Sequence, residues 1–182
     1  MNGIKSQDIV ILLKLASLEQ AREITGDAPP TARDLETQLG ISKTEVSASI
    51  RRSLALGLAI RDRGDGRPRP NPRNLVDFIR HGLKFAFPAA PGAMTRGMPT
   101  AFAAPMLEGL LLSAGQYNYV WPWPDGETVG QRVKPLFHSV PEAARQDARL
   151  YEYLALVDAI RLGGRREADL AGDRLARAIL GS

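Results

Sequence analysis

The residues best suited to chemistry are hydroxyl and basic side chains in the first part of the chain. They are Thr31, Arg33, Ser42, Lys43, Thr44, Ser47, Arg51, Arg63, Arg67 and Arg69. Hydroxyl groups bond to phosphate oxygens, and the guanidinium fork of arginine fits either a phosphate or the edge of a guanine base. This set therefore predicts contact with a polyanion of the nucleic-acid type.

Patterns for catalysis or metal binding are missing from the sequence. The chain has no cysteine, and its two histidines, His81 and His138, stand far apart. Zinc-type ligand spacing, a nucleophile elbow, a P-loop and a dinucleotide fingerprint are all absent from the sequence. Asp125 and Glu127 flank Gly126, but an Asp-Gly pair first of all indicates a turn. We therefore expect no enzyme activity, no cofactor and no metal.

The location predicted from composition is cytoplasmic. No run of eighteen apolar residues could cross a membrane, and the first residues lack the basic and apolar regions of a signal peptide. The absence of cysteine fits a reducing compartment. We expect no membrane partner.

Hydrophobic spacing predicts three helices that must position the candidate side chains. The first covers residues 6–24. Thr31 and Asp34 have the spacing of a capping box at the start of the second helix, and Ser42 and Glu45 repeat that spacing for the third. Both short helices therefore have defined starting points.

The third helix should bury Val46, Ile50 and Leu54, because these residues recur at every fourth position. Thr44 and Arg51 then lie on an outward stripe that also contains the small Ser47, where the backbone could approach a DNA groove. On the side between these two faces, a pairing of Arg52 with Glu45 is expected.

A basic hairpin is predicted after the third helix. Residues 58–61 have strand character, and a turn-rich segment runs from there to Pro70. Residues 42–73 hold eight basic and three acidic side chains, a net charge of +5 in a chain whose total is +4. This excess indicates either an electrostatic footprint for a polyanion or a solvated surface.

Three features between residues 5 and 72 form a recognisable pattern. They are the Leu-Gly-Ile-Ser turn of residues 39–42, the small Ser47 after Val46, and Leu-Ala-Leu-Gly-Leu at residues 54–58. The pattern resembles the winged helix-turn-helix of bacterial transcriptional regulators, broadly of the MarR type. This resemblance implies sequence-specific binding of double-stranded DNA, typically by a homodimer on a near-palindromic operator.

The second half of the chain departs from that family, because eleven of the thirteen prolines lie between Pro68 and Pro141. We expect an α+β, mainly α fold with three segments. They are a winged helix-turn-helix domain (1–73), a helix with a Pro/Gly-rich irregular segment and short strands (74–140), and a C-terminal helical segment (141–182). Residues 88–105 are predicted as loop, and residues 141–162 as one helix.

Three residues in this second half are weaker candidates for binding a protein partner or a small effector. They are Arg96, Trp121 and Trp123. The two tryptophans could form a partner-binding edge, a pocket wall or the cap of a small core. A repressor acting as a dimer is the main prediction. The alternative is a winged-helix interaction module, or an antitoxin-like partner, that binds another protein through residues 85–182.

Overall fold

A computed structural model describes residues 3–110 and 117–181, and within these ranges eight helices and five strands form an α+β, mainly helical fold. The helices are α1 (Ser6–Thr25), α2 (Ala32–Leu39), α3 (Lys43–Ala55), α4 (Pro72–His81), α5 (Leu83–Ala86), α6 (Val140–Gln146), α7 (Ala148–Leu162) and α8 (Arg165–Leu180). The strands are β1 (Ala59–Arg61), β2 (Pro68–Pro70), β3 (Met94–Thr100), β4 (Tyr119–Pro122) and β5 (Thr128–Arg132).

The helices α2 and α3 begin where their capping residues predict. The Thr31 hydroxyl oxygen accepts a hydrogen bond from the backbone N–H of Asp34 at 3.2 Å, and Asp34 accepts from the backbone N–H of Thr31 in return. Ser42 accepts from the N–H of Glu45 at 3.3 Å, but the Glu45 carboxylate turns away to Arg52. The first predicted capping box is therefore confirmed, while the second is only half formed.

The buried face of α3 is rotated from the predicted one. Val46, Ser49 and Ser53 are the buried residues, whereas Ile50 and Leu54 are only half-buried. Serine occupies little space, so α3 can pack closely against the large apolar side chains of α1. All three predicted residues pack against the core, Val46 fully and Ile50 and Leu54 partly. Ser49 and Ser53 were missed because small polar residues do not register as core in a hydrophobicity pattern.

The predicted hairpin is confirmed. Strands β1 and β2 pair antiparallel, with Ala59 opposite Pro70 and Arg61 opposite Pro68. The N–H of Asp62 donates to the carbonyl of Arg67 at 2.8 Å and closes the turn. The hairpin packs on α1 and follows directly after α3.

The short strands predicted in the Pro/Gly-rich segment are present, but the segment is not irregular, because they form a closed three-stranded barrel. The loop predicted at residues 88–105 was wrong over β3. Strand β3 pairs antiparallel with both β4 and β5, and β4 pairs parallel with β5. A Cβ at Gly97 would lie 1.9 Å from the carbonyl oxygen of Trp121, and one at Gly130 would lie 2.4 Å from that of Asn118. Strands this close need glycine at both positions. Gly97 lies in the segment that was predicted as a loop (88–105), and there it permits the barrel to close.

The predicted helix over residues 141–162 is divided at Asp147 into α6 and α7. The Asp147 carboxylate caps α7 by accepting from the N–H of Leu150 at 2.9 Å. It also accepts hydrogen bonds from Lys14 Nζ at 2.8 Å and from the Ser17 hydroxyl at 2.9 Å. Burial alone would raise the pKa of Asp147, but the hydrogen bonds from Lys14 and Leu150 outweigh it and hold that pKa below its ordinary value. The helix break therefore serves to fasten α7 to α1.

One hydrophobic core runs from Ile9 in α1 to Leu175 in α8, so the three predicted segments share it. Helix α7 lies within this core and is buried on almost every side. The carboxylate of Asp158 in α7 accepts from Thr100 at 2.7 Å and from the Trp121 indole at 2.6 Å, which ties α7 to the barrel. Burial raises the pKa of Asp158 even though Arg161 pairs with it at 2.8 Å.

None of the helices in the described ranges is both long enough and apolar enough to span a membrane.

Candidate nucleic-acid interface

The outward face of α3 presents the candidate hydroxyl and basic side chains to solvent. We call Thr44, Ser47 and Arg51 the α3 row, because positions i, i+3 and i+7 lie on one side of a helix. Thr44 and Arg51 are exposed, and Ser47 is half-buried. Lys43, also exposed, stands in the first turn beside the row. Within residues 3–110 and 117–181, no hydrogen bond or ion pair of these four side chains is found.

The flank of α3 between the buried face and the α3 row is fastened to α1 by an ion-pair cluster. Arg52 donates to Asp8 through Nε at 3.1 Å and through Nη2 at 2.7 Å, and it also pairs with Glu45 at 2.6 Å. The hydrogen bond from Arg52 lowers the pKa of the Glu45 carboxyl, with the charges of Arg52 and Lys5 adding to the effect. The expected pairing of Arg52 with Glu45 is confirmed.

Asp8 is the residue that the sequence prediction missed. It is completely buried, and it also accepts a hydrogen bond at 2.8 Å from the backbone N–H of Lys5, the residue that caps the start of α1. An acidic residue two positions after Ser6 predicts only a helix start. Its pairing with Arg52 spans 44 residues of sequence, so no local pattern could have shown it.

The start of α2 does not offer the phosphate anchor that its threonine suggested. The Asp34 carboxylate accepts from the backbone N–H of Thr31 at 2.7 Å and from its hydroxyl at 2.8 Å. These hydrogen bonds lower the pKa of Asp34, the backbone one most strongly, and they place a negative charge at this helix end. Thr31 therefore serves as a helix cap, while Arg33, which is exposed, keeps its candidate role. Ser42, likewise exposed, caps α3.

Two of the three candidate arginines in the hairpin point to solvent. Arg63 and Arg67 are exposed in the turn, where Arg67 lies 3.5 Å from Asp65. The turn uses both of its carboxylates internally: Asp62 accepts from the N–H groups of Gly64 at 2.7 Å and of Asp65 at 3.4 Å, and Asp65 accepts from the N–H of Arg67 at 3.0 Å. The two backbone hydrogen bonds to Asp62 lower the pKa of that carboxyl. The hairpin tip thus keeps two exposed guanidinium groups.

Arg69 is directed away from that tip. It lies 3.5 Å from Glu19 of α1 and 3.4 Å from Asp62, and its Nε atom is buried without a hydrogen bond in the described residues. Arg69 is the middle residue of β2, opposite Ile60, and its side chain reaches Glu19 of α1. Arg69 therefore positions the hairpin, and we assign it no contact with DNA.

The weaker partner candidates lie on or next to neighbouring strands of the barrel, where the N–H of Trp123 donates to the carbonyl of Arg96 at 3.4 Å. Trp121 is only 1% exposed and donates to Asp158, so the predicted partner contact at Trp121 is wrong, because the indole is part of the core. Trp123 is half-buried, with the Arg145 guanidinium 5.6 Å from its ring centre. Arg96 is exposed on β3, and its guanidinium donates to the carbonyl of Gly126 at 3.4 Å.

Among the residues that the structure describes, no cluster of three or more His, Cys, Asp or Glu side chains is placed to hold a metal ion. No protein family model matches the chain, and neither a curated protein nor a solved structure matches it. Its function is therefore inferred from the arrangement of its own side chains.

Proposed function

We propose that this chain is a sequence-specific DNA-binding transcriptional regulator that acts as a repressor. The observation that carries the proposal is the α3 row, whose polar groups have no partner among the described residues, while Arg52 on the flank of the same helix is held by Asp8. A helix whose polar groups are not used by the fold has hydrogen-bonding capacity left for a ligand. Basic and hydroxyl groups match the phosphates and base edges of DNA.

The order of elements supports α3 as the recognition helix. Helices α2 and α3 are joined by the short link of residues 40–42, and the β1–β2 hairpin follows α3, which is the order of a winged helix-turn-helix. In that arrangement the second helix of the pair enters the major groove with its N-terminal residues against the bases. Thr44 and Ser47 lie in that N-terminal part, and Arg51 lies one turn further along.

Each side chain can be given a role by its chemistry. The Arg51 guanidinium is suited to a bidentate contact with guanine, whereas Lys43 and Arg33 are suited to phosphates. Ser47 is small enough to let the helix backbone approach the base edges. Arg63 and Arg67 would lie along the adjacent backbone or in a narrow minor groove.

Repression follows from occupancy of a promoter, and we propose that two copies bind a near-palindromic operator in the cytoplasm. Two-fold symmetric DNA sites match two-fold symmetric proteins, with the half-sites one helical turn apart. Light scattering of the protein alone and with its selected duplex would test this stoichiometry. Two chains per duplex are expected, and one chain per duplex would contradict the proposed dimer.

The experiment that tests the proposal starts from selection of duplexes out of a random library by the purified protein. Affinity for the selected duplex and for a scrambled duplex is then measured over a series of salt concentrations. The double variant Lys43→Ala/Arg51→Ala removes two charges at α3. The matched control, Arg165→Ala/Arg166→Ala, removes two exposed charges from the start of α8.

The α3 variant should lose at least about tenfold in affinity for the selected duplex, since one good base contact contributes about 1–3 kcal/mol. The α8 variant should bind almost as the unaltered protein does. Equal losses of affinity in the α3 and α8 variants would show that binding depends only on general charge attraction. Failure to enrich any sequence would contradict sequence-specific binding.

A further inference from the structure

A small cavity of about 220 Å³ lies between the barrel and the turn that joins α7 to α8. Three aromatic side chains line it: Phe102 and Tyr119, both half-buried, and Tyr117, which is exposed. Asn118 and Glu167 complete its polar lining. Neither the α3 row nor the hairpin contributes to this cavity, so it is independent of the proposed DNA interface.

The charge of the cavity is negative. Glu167 is the one acidic group among its described lining residues, and no lysine or arginine lines it, although the chain contains 24 of them. Glu167 is half-buried and forms no ion pair or hydrogen bond within the described ranges. A half-buried carboxylate without a partner attracts a cation and repels an anion.

The cavity wall that carries Phe102 is fixed by contacts to α7. Thr100 donates to Asp158 at 2.7 Å, and Ala101 follows it with a φ of 52°, a left-handed conformation that non-glycine residues rarely adopt. The 3-10 turn Ala101–Ala103 packs on α7. Local strain of this kind persists where surrounding contacts enforce it, and it is concentrated at ligand sites.

We propose that this cavity binds a small organic cation of the alkylammonium class. Aromatic rings attract such cations through their negative faces, and the Glu167 carboxylate supplies the neutralising charge. A divalent metal ion is a poor fit, because calcium takes six to eight oxygen ligands and the described lining offers one carboxylate. The volume suits a compact cation such as tetramethylammonium.

Nuclear magnetic resonance of the full-length, isotope-labelled protein tests this inference. Tetramethylammonium chloride is titrated in against a background of constant ionic strength, and tert-butyl alcohol serves as an uncharged probe of similar shape. We expect saturable shifts in the backbone amides of Ala101–Ala103, Tyr119 and Glu167. Binding of the alcohol should be at least about tenfold weaker.

Two variants assign the binding to the proposed groups. Glu167→Gln and Tyr119→Leu should each weaken binding of tetramethylammonium by about fivefold or more. Glu127→Gln, which neutralises an exposed carboxylate near β5 that does not line the cavity, is the matched control and should leave binding unchanged. Thermal unfolding of each variant, followed by tryptophan fluorescence, verifies that it is folded.

Three outcomes would overturn the inference. Equal binding of tert-butyl alcohol would show that the cavity selects for apolar groups and not for charge. Displacement of the cation by calcium chloride at matched ionic strength would show that the cavity is a metal site. Shifts that do not saturate, or that persist undiminished in folded Glu167→Gln protein, would show that the cation does not bind at this carboxylate. None of these results bears on the proposed DNA interface.

Discussion

Arg52 in α3 holds both carboxylate oxygens of Asp8 in α1, at 3.1 Å through Nε and at 2.7 Å through Nη2. Asp8 has no exposed surface, and the Arg52 side chain is 10% exposed. Successive residues of a helix point about 100° apart, so fixing Arg52 against α1 turns its neighbour Arg51 toward solvent. One contact therefore stabilises the fold and orients the α3 row.

Loss of the Asp8 carboxylate should be strongly destabilising. Asp8→Ala leaves the buried Arg52 guanidinium with Glu45 as its one remaining partner among the described residues. Breaking one side of a buried pair costs about 3–5 kcal/mol of unfolding free energy. Urea denaturation measures this loss. Asp65→Ala, in the exposed hairpin turn, is the control and should cost less than about 1 kcal/mol. Similar losses in the two variants would contradict the role given to Asp8.

The Lys14–Asp147 pair should make stability depend on pH on the acid side. The pKa of Asp147 is lower in the folded chain than its ordinary value of about 3.9, so the folded state favours the ionised carboxylate. Its contribution is therefore present above about pH 4 and is lost as the pH falls through the lowered pKa. Asp147→Asn should reduce the free energy of unfolding more at pH 7 than at pH 3.

Asparagine is the appropriate replacement at this position because it still caps a helix. The control is Asp125→Asn, at an exposed turn position, which should leave the difference between pH 7 and pH 3 unchanged. An Asp147→Asn variant with the same pH dependence as the unaltered protein would show that the pair does not carry the acid sensitivity.

The barrel should not tolerate a methyl group at Gly97. Gly97→Ala would place Cβ 1.9 Å from the carbonyl oxygen of Trp121, a backbone atom that cannot move without separating β3 from β4. We expect a loss of about 3 kcal/mol or more in unfolding free energy, at the upper end of overpacking costs. Gly92→Ala, whose Cβ would meet its nearest atom at an ordinary 3.5 Å, is the control. A stable Gly97→Ala protein would contradict the barrel.

The parts of the fold that were predicted correctly depend on neighbours in sequence. The capping box of Thr31 and Asp34 lies within four residues, and the hairpin closes across the turn between β1 and β2. The barrel was missed because β3 pairs with strands that begin 19 and 28 residues after it ends, and because its glycines resemble those of a loop. The break at Asp147 was missed because its partner, Lys14, lies 133 residues away.

In the candidate interface, too, the features that could be predicted are those that depend on residues close in sequence. The position of Thr44, Ser47 and Arg51 on one side of α3 could be predicted from helix periodicity. Thr44 and Arg51 are exposed there and Ser47 is half-buried, and none of the three side chains has a partner among the described residues. The other roles depend on partners distant in sequence: Arg69 reaches Glu19, and Trp121 reaches Asp158. A residue type shows what a side chain can bind, but tertiary contacts decide whether it is already occupied.

Arg51 and Arg67 should differ in how they affect DNA binding. Arg51→Ala should cost about 1–3 kcal/mol on the selected duplex and much less on a scrambled one, because a base contact is lost. Arg67→Ala should weaken both duplexes similarly and reduce the slope of log affinity against log salt by about 0.9, because one phosphate contact is lost. Affinity measured over a salt series distinguishes the two. Small and equal losses would contradict the assignment of α3 as the recognition helix.

Site-directed photo-crosslinking can determine whether α3 is the surface that faces the DNA. The chain has no cysteine, so a single introduced thiol can carry a photo-crosslinker at one chosen position. With the linker on Thr44→Cys, we expect crosslinks to bases inside the selected site. With the linker on Arg165→Cys, at an exposed position of α8, we expect none. Crosslinks from the α8 position, or none from α3 while DNA remains bound, would contradict the proposed interface.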